Sequence, residues 1–302
     1  MASEERSREK MGRDVRIILI SYSASGFSVL REACHRAGYE PVLYMHARSL
    51  IPNGGTRSGA GDVVGGIIDD IPPGMDFFVP GGKGNLANVL ACYNADLIVC
   101  YGFPWRLPAS VLQSTRLGGI NVHTSMLPQY RGPIPVNWAI RNGDAEIGVS
   151  IHWMEEEFDA GRILAQEAGI ALEDDVIPEK LWDDVNQVIS RLLPVALKRV
   201  ADGCPGEVQQ AGDHMYAGWM EESFHQVDWR NGRRSIHNQV RAIRFGSSGK
   251  SGPTARVGAG WIRLLRTSLE PTGGIERECA DGSLWIVDSV PADPPELARS
   301  SR

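Results

Sequence analysis

Asn121 and His123 stand two residues apart in Leu117-Gly-Gly-Ile-Asn-Val-His123. In an extended strand, residues two apart project from the same face. An amide and an imidazole therefore share one face where the apolar run that begins at Leu117 ends, and the Leu127-Pro128 step then turns the chain away. A few dozen residues later Phe158-Asp159-Ala-Gly161 brings a carboxylate back on a loop. An amide donor, an imidazole that exchanges a proton near neutral pH and a carboxylate are components of acid–base chemistry. The carboxyl end of a buried strand is where open α/β sheets place such groups. Singly, each residue has an ordinary explanation, since Asn and Asp form turns and a lone His is commonly a satisfied polar residue.

The elements that must carry them are legible on both sides. Val15-Arg-Ile-Ile-Leu-Ile-Ser21 reads as a fully buried strand. Ser23-Ala-Ser-Gly26 opens a helix from Phe27 to Ala37, closed by Gly38. Further strands are expected over 41–45, 97–101, 147–151 and 163–170, with a helix from Pro178 to Val200, where Asp174 or Asp175 is a suitable N-cap and Pro194 a source of kinking. Strands alternating with helices predict an α/β fold with a mostly parallel sheet. The Gly-rich stretch from Asn53 to Gly66 reads as a surface loop; it has no Gly-x-x-x-x-Gly-Lys-Ser/Thr pattern for phosphate. Composition changes at Ala201-Asp-Gly-Cys-Pro-Gly206, and four short strands with turn punctuation follow a helix at about 234–245. The expected organisation is a disordered tail at 1–13, a catalytic domain at 14–205, a linker at 206–218 and a small barrel domain at 219–302.

The segment Asn121-Val-His123-Thr-Ser125-Met-Leu-Pro128-Gln-Tyr-Arg131-Gly132, then Asn137-Trp138, Gly148-Val-Ser-Ile-His152 and Asp159-Ala-Gly161-Arg-Ile-Leu-Ala-Gln166, resembles the 10-formyltetrahydrofolate-dependent formyltransferases. These include enzymes that act on methionyl-tRNA, on glycinamide ribonucleotide and on sugar nucleotides. The match runs from about Asp96 to Ala171, with Met126 where the family has Leu. The resemblance implies a Rossmann-like formyltransferase domain followed by a small OB-like β-barrel, with 10-formyltetrahydrofolate as co-substrate and no metal. It implies that Asn121 donates to the formyl oxygen, that His123 is the acid/base or oxyanion partner, and that Asp159 orients or charges His123. It places the pterin against Tyr101, Gly102, Phe103, Trp105, Arg106 and Leu107, with Glu155 and Phe158 closing the other side. Pro104-Trp105 departs from the commoner family residues. Ser125 is expected to fix its loop, and Arg131 either anchors that loop or meets an anionic substrate. Asn137 and Trp138 are expected on the acceptor side, where they look more like the sugar-nucleotide branch than the tRNA branch.

Charge bears on the acceptor. The chain has a formal charge of -6, and from Trp219 onward twelve Lys and Arg face ten Asp and Glu. Nucleic-acid binding rests on phosphate neutralisation by clustered cations, so a small-molecule amine is the expected acceptor, either an amino sugar, a sugar nucleotide or an amino-acid-like precursor. Methionyl-tRNA is the alternative. A formyltetrahydrofolate hydrolase and an idle RNA- or nucleotide-binding protein are further rivals, and a dinucleotide oxidoreductase is disfavoured because Ser21-Tyr-Ser-Ala-Ser-Gly26 lacks the Gly-x-Gly-x-x-Gly pattern. Five scattered cysteines, a charged N-terminus and no membrane-length apolar run lead us to expect a cytoplasmic protein with reduced thiols and no membrane partner.

Overall fold

The computed structural model describes residues 15–46, 60–82, 84–103, 106–247, 249 and 251–294. Trp105, one of the expected pterin contacts, and residues 53–59 of the Gly-rich stretch lie outside the described residues.

Seven strands form one sheet: β1 (Ile17–Ser21), β2 (Leu43–His46), β3 (Asp76–Phe78), β4 (Leu97–Tyr101), β5 (Gly119–His123), β6 (Glu146–Trp153) and β7 (Ile163–Ala171), in the order β3-β2-β1-β4-β5-β6-β7. The first five run parallel, and β6 is antiparallel to β5. β1 and β4 are buried along their whole length, which is why both read as unbroken apolar runs rather than alternating ones. Helices α1 (Ala24–Arg36), α2 (Ala60–Asp70), α3 (Leu86–Ala91) and α4 (Ala109–Leu112) connect the parallel strands. Ser23 caps α1 by accepting from Gly26 N at 3.0 Å. Ile18, Ile20, Leu43, Met45, Ile98 and Leu107 share one core cluster. Parallel order brings the carboxyl ends of β1, β2, β4 and β5 to one edge, where Asn121 and His123 stand.

α5 (Pro135–Asn142), α6 (Pro178–Ala201) and α7 (Arg233–Gly246) follow, with a four-stranded antiparallel sheet of β8 (Thr254–Val257), β9 (Gly260–Ser268), β10 (Ile275–Cys279) and β11 (Gly282–Pro291) in the order β10-β11-β9-β8. Ile236 and Val240 of α7 pack with Ala255, Leu264, Leu284 and Ile286 of this sheet. α6 continues through Pro194 to Ala201. Among the described residues no helix is long and apolar enough to cross a membrane.

Three expectations need correction. The Gly-rich stretch is not loop throughout, because Ala60–Asp70 is helical. Val64, Ile67 and Ile71 recur at helical spacing and Ile67 is fully buried, while Gly65 and Gly66 face open space and add no packing. Asp174 and Asp175 do not cap α6. Asp174 accepts from buried His237 Nε2 at 3.1 Å, and Asp175 pairs with Arg244 of α7 and Arg266 of β9, so both carboxylates are engaged by partners distant in the chain rather than by the N–H groups of α6. Finally, 206–218 is not a free linker. Glu207 exchanges two backbone hydrogen bonds of 2.8 Å with Ile163 of β7, and Met215 O accepts from Tyr130 N at 2.9 Å. The segment is a strap held at both ends.

The chain divides into two compact units. The first takes Met1–Gly132, Gly148–Gly169 and Asp183–Tyr216; the second takes Pro133–Ile147, Ile170–Trp182 and Ala217–Arg302. Neither is a single stretch, whereas the sequence suggested one cut at 206–218. α5 belongs with α7 through the bond from Asn137 Nδ2 to Ala242 O at 3.0 Å.

Candidate active site

Asn121 and His123 end β5, and both belong to the first unit with Asp159. The β5–β6 register sets Asn121 opposite His152 and His123 opposite Ser150. His152 thus joins the site from the neighbouring strand, a residue the sequence motif contained but did not single out. Its signal depends on antiparallel pairing, which no local pattern discloses.

Asp159 is the hub. Its Oδ1 accepts from Asn121 Nδ2 at 3.3 Å and lies 3.5 Å from His152 Nε2; its Oδ2 accepts from Gly132 N at 2.9 Å and lies 3.7 Å from His123 Nδ1. Asp159 has φ +52 and Tyr130, in the facing loop, φ +57. Two left-handed non-Gly residues at one constellation mark backbone strain held in place by the surroundings.

The tautomers follow from the carbonyls. His123 Nε2 donates to Tyr130 O at 2.8 Å, so Nδ1 is the nitrogen that gains or loses a proton beside Asp159. His152 Nδ1 donates to Trp153 O at 2.8 Å, leaving Nε2 to accept from Asn121 Nδ2 at 3.2 Å. The Asn121 bonds are long for N–H donors, so its amide is weakly held and able to turn to another acceptor.

Burial pushes His123 below its ordinary value, against the attraction of Asp159 and the bond to Tyr130. Burial by itself raises Asp159, but the imidazoles of His123 and His152 beside it and the Gly132 N–H outweigh it and hold the carboxyl well below the usual range. Both depressed values mean that the folded state binds fewer protons than the unfolded chain. Their stabilisation is complete above the unfolded values and is lost as pH falls, from roughly 6.5 downward for His123 and roughly 4 downward for Asp159. Buried His46 and His237 are depressed too. The expected result is a melting temperature that declines steadily from pH 7 to pH 5, with a smaller decline in His123→Gln. A flat profile in the wild type contradicts it.

A cleft of about 690 Å³ is lined by Arg106, Pro128, Arg131, Glu156, Glu157, Phe158, His214, Met215 and Tyr216 among others, so that Glu157 and Phe158, which precede Asp159 in the chain, border it. Arg106 reaches Glu156 and lies over the Phe158 ring at 5.9 Å, and Arg131 lies 3.6 Å from Glu157. The acidic run 155–157 is therefore partly a counter-charge to two arginines rather than a solvated face alone. Of the other expected pterin contacts, Tyr101 ends buried β4, Gly102 has φ +65, Leu107 is buried in the core cluster with Phe103 packed against it, and Glu155 is exposed. Ser125 Oγ donates to Gln129 O at 2.7 Å. Asn137 and Trp138 belong to the second unit, where Trp138 Nε1 donates to Gly218 O at 2.7 Å. Among the described residues no group of His, Cys, Asp and Glu could hold a metal ion.

Residues 82–197 match the family model described as formyl transferase. A methionyl-tRNA formyltransferase of Levilactobacillus brevis is 32% identical over 223 residues, covering 67% of this chain and 68% of the relative. This chain belongs to the formyl transferase family. A methionyl-tRNA formyltransferase of Clostridioides difficile is 35% identical over 151 residues, 50% of this chain and 48% of the relative. The chain spans about half the length of that relative and under two thirds of others like it. In fold, it is similar to WlaRD, a sugar 3N-formyl transferase whose structure was solved with dTDP and 5-N-formyl-THF, at a TM-score of 0.63 over 91% of this chain and 98% of that one, with 15% identity. The family match spans Asn121, His123 and Asp159 but begins after β3, so β1 to β3 lie outside it.

Proposed function

We propose that the chain moves the formyl group of 10-formyltetrahydrofolate to the amino group of a small molecule, with residues 14–205 as the catalytic domain and 219–302 as an OB-like domain. The observation that carries this reading is the hub at Asp159, which gathers Asn121, His123 and the Gly132 N–H around one carboxylate. When bound, the folate supplies a formyl carbon whose oxygen gains negative charge as the amine adds, and a nitrogen that takes a proton as it leaves. The cleft suits it: its volume is that of a small-molecule site, Phe158, Met215 and Tyr216 offer apolar faces, and Arg106 and Arg131 offer cations to carboxylates.

Asn121 turns one weakly held N–H toward the developing oxyanion. His123, neutral because burial depresses it, takes the amine proton at Nδ1. Asp159, kept ionised, stabilises the imidazolium thus formed, and the same proton then goes to the leaving nitrogen. Nε2 stays committed to Tyr130 O throughout, which holds the ring in one orientation.

The acceptor is argued from charge. In the second unit Arg241 donates to Asp174 O and Glu173 O, Arg244 and Arg266 pair with Asp175, Arg230 pairs with Asp228, and Arg141 with Glu221. Cations already paired within the fold release fewer phosphate counterions on binding. Methionyl-tRNA is the second reading, favoured by the names of the relatives above. The test is a panel of amino sugars, nucleotide-linked amino sugars, amino acids and charged initiator tRNA, read by mass gain of one formyl group from 10-formyltetrahydrofolate. A small amine is expected to be formylated, with tRNA unmodified at physiological ionic strength. Efficient, salt-sensitive formylation of the tRNA alone overturns the acceptor; no transfer to any member overturns the reaction.

A further inference from the structure

We propose that Gln209, in the strap that runs from β7 past the cleft, is the positioning residue for the Asp159 carboxylate. Gln209 is 8% exposed and its side chain is fully engaged. Nε2 donates to Asp159 O at 2.7 Å and to Gly161 O at 2.8 Å. Oε1 accepts from Arg131 Nε at 3.0 Å and Arg131 Nη2 at 2.6 Å. Two donors and two acceptor positions are all that a primary amide has, and every one is used.

The placement matters because both loops it joins are strained. Asp159 sits at φ +52 and its carboxylate must reach His123, while Arg131 lies between Tyr130 at φ +57 and Gly132, whose N–H holds Asp159 Oδ2. An L-residue in the left-handed region relaxes unless its peptide is held from outside. Gln209 holds the carbonyl of Asp159 itself and that of Gly161 beyond it, which fixes the direction in which the Asp159 side chain leaves the backbone. Through Oε1 it ties the same frame to Arg131 in the cleft. A glutamate at this position keeps the acceptor for Arg131 but turns a carboxylate oxygen on two carbonyl oxygens. An isosteric methionine keeps the volume and loses all four bonds. The donors to the Asp159 loop carry the effect, so both substitutions act alike.

This assignment rests on the formyl-transfer reading for its kinetic consequence but not for its structural one, and the test reads both. Gln209→Met and Gln209→Glu are compared with the wild-type full chain. Each is expected to lower kcat about tenfold to a hundredfold, the cost of misplacing a catalytic group by about an ångström, with KM changed far less. Independently of turnover, the His123 ring titration followed by NMR is expected to move down by about half a pH unit or more in Gln209→Met, since Asp159 is the charge that holds it up. Wild-type kcat in Gln209→Met, or in Gln209→Glu, overturns the proposal. So does a His123 titration that is unchanged or raised in folded Gln209→Met. If the wild type transfers no formyl group to any acceptor, the reaction is wrong and Gln209 is judged on the titration alone: a downward shift supports the positioning role and an unchanged one rejects it.

Discussion

His123→Ala is expected to lower kcat by about a hundredfold to a thousandfold while the protein folds as the wild type does. The ring is buried, yet its polar links are few: Nε2 to Tyr130 O, and Nδ1 facing Asp159 at 3.7 Å. Removing it leaves the strand register of β5 with β4 and β6 untouched, because that pairing is made by backbone. What disappears is the nitrogen that takes the amine proton and the charge that Asp159 stabilises. Asn121→Ala is expected to cost a similar factor by a different route, through the lost donor to the oxyanion. In the double variant the losses should not multiply, since Asp159 touches both partners and the three groups act as one. The measurement is steady-state turnover with folate and amine both saturating, alongside a melting curve. Near-wild-type turnover in His123→Ala removes His123 from the chemistry.

How much of this was visible in the residues depends on the range of the interactions. Asn121 and His123 could be put on one face because the strand period is local, and β1, β4 and β11 could be placed because their residue types suit buried or half-buried strands. The four C-terminal strands were legible for the same reason. Asp159 entered through family resemblance, not through any periodicity. What escaped was decided by distant partners. His152 becomes part of the site only once β6 folds back on β5. Asp174 and Asp175 read as helix caps from their position before α6, but side chains of α7, about sixty residues on, claim them. Residues 60–66 read as part of a loop because their glycines are conspicuous, while the burial that makes Ala60–Asp70 a helix belongs to Ile67. The strap at 206–218 has the Gly-rich composition of a linker; its order comes from β7, from Tyr130 and from one of two adjacent glutamines, Gln209, whose partners lie about fifty to eighty residues away in the chain.

Gly161→Ala is expected to be the most damaging single methyl group in the site. An added Cβ at Gly161 falls well inside contact with Trp153 O, a backbone atom that cannot rotate away. Trp153 N also donates to Arg162 O at 2.9 Å, so residues 153 and 161–162 are clamped together where β6 ends and β7 begins. The clash can be relieved only by parting this clamp. That shifts the Asp159 loop away from Gly132 and His123 and pulls Gly161 O from Gln209. The expected cost is about 3 kcal/mol or more of stability, in the range of severe core substitutions. Turnover of whatever folds should also drop by about a hundredfold, since the carboxylate no longer addresses the imidazole. Gly169→Ala is the control. Gly169 has φ +97, so alanine there is strained, yet no atom lies within 4 Å of its added Cβ. It should cost about 1–2 kcal/mol through backbone conformation and leave turnover of the folded fraction unchanged. Melting temperature and kcat measured on both variants separate a loop that positions catalysis from a glycine that merely turns the chain. If Gly161→Ala matches Gly169→Ala in both, the close approach at Trp153 does not hold Asp159 in place.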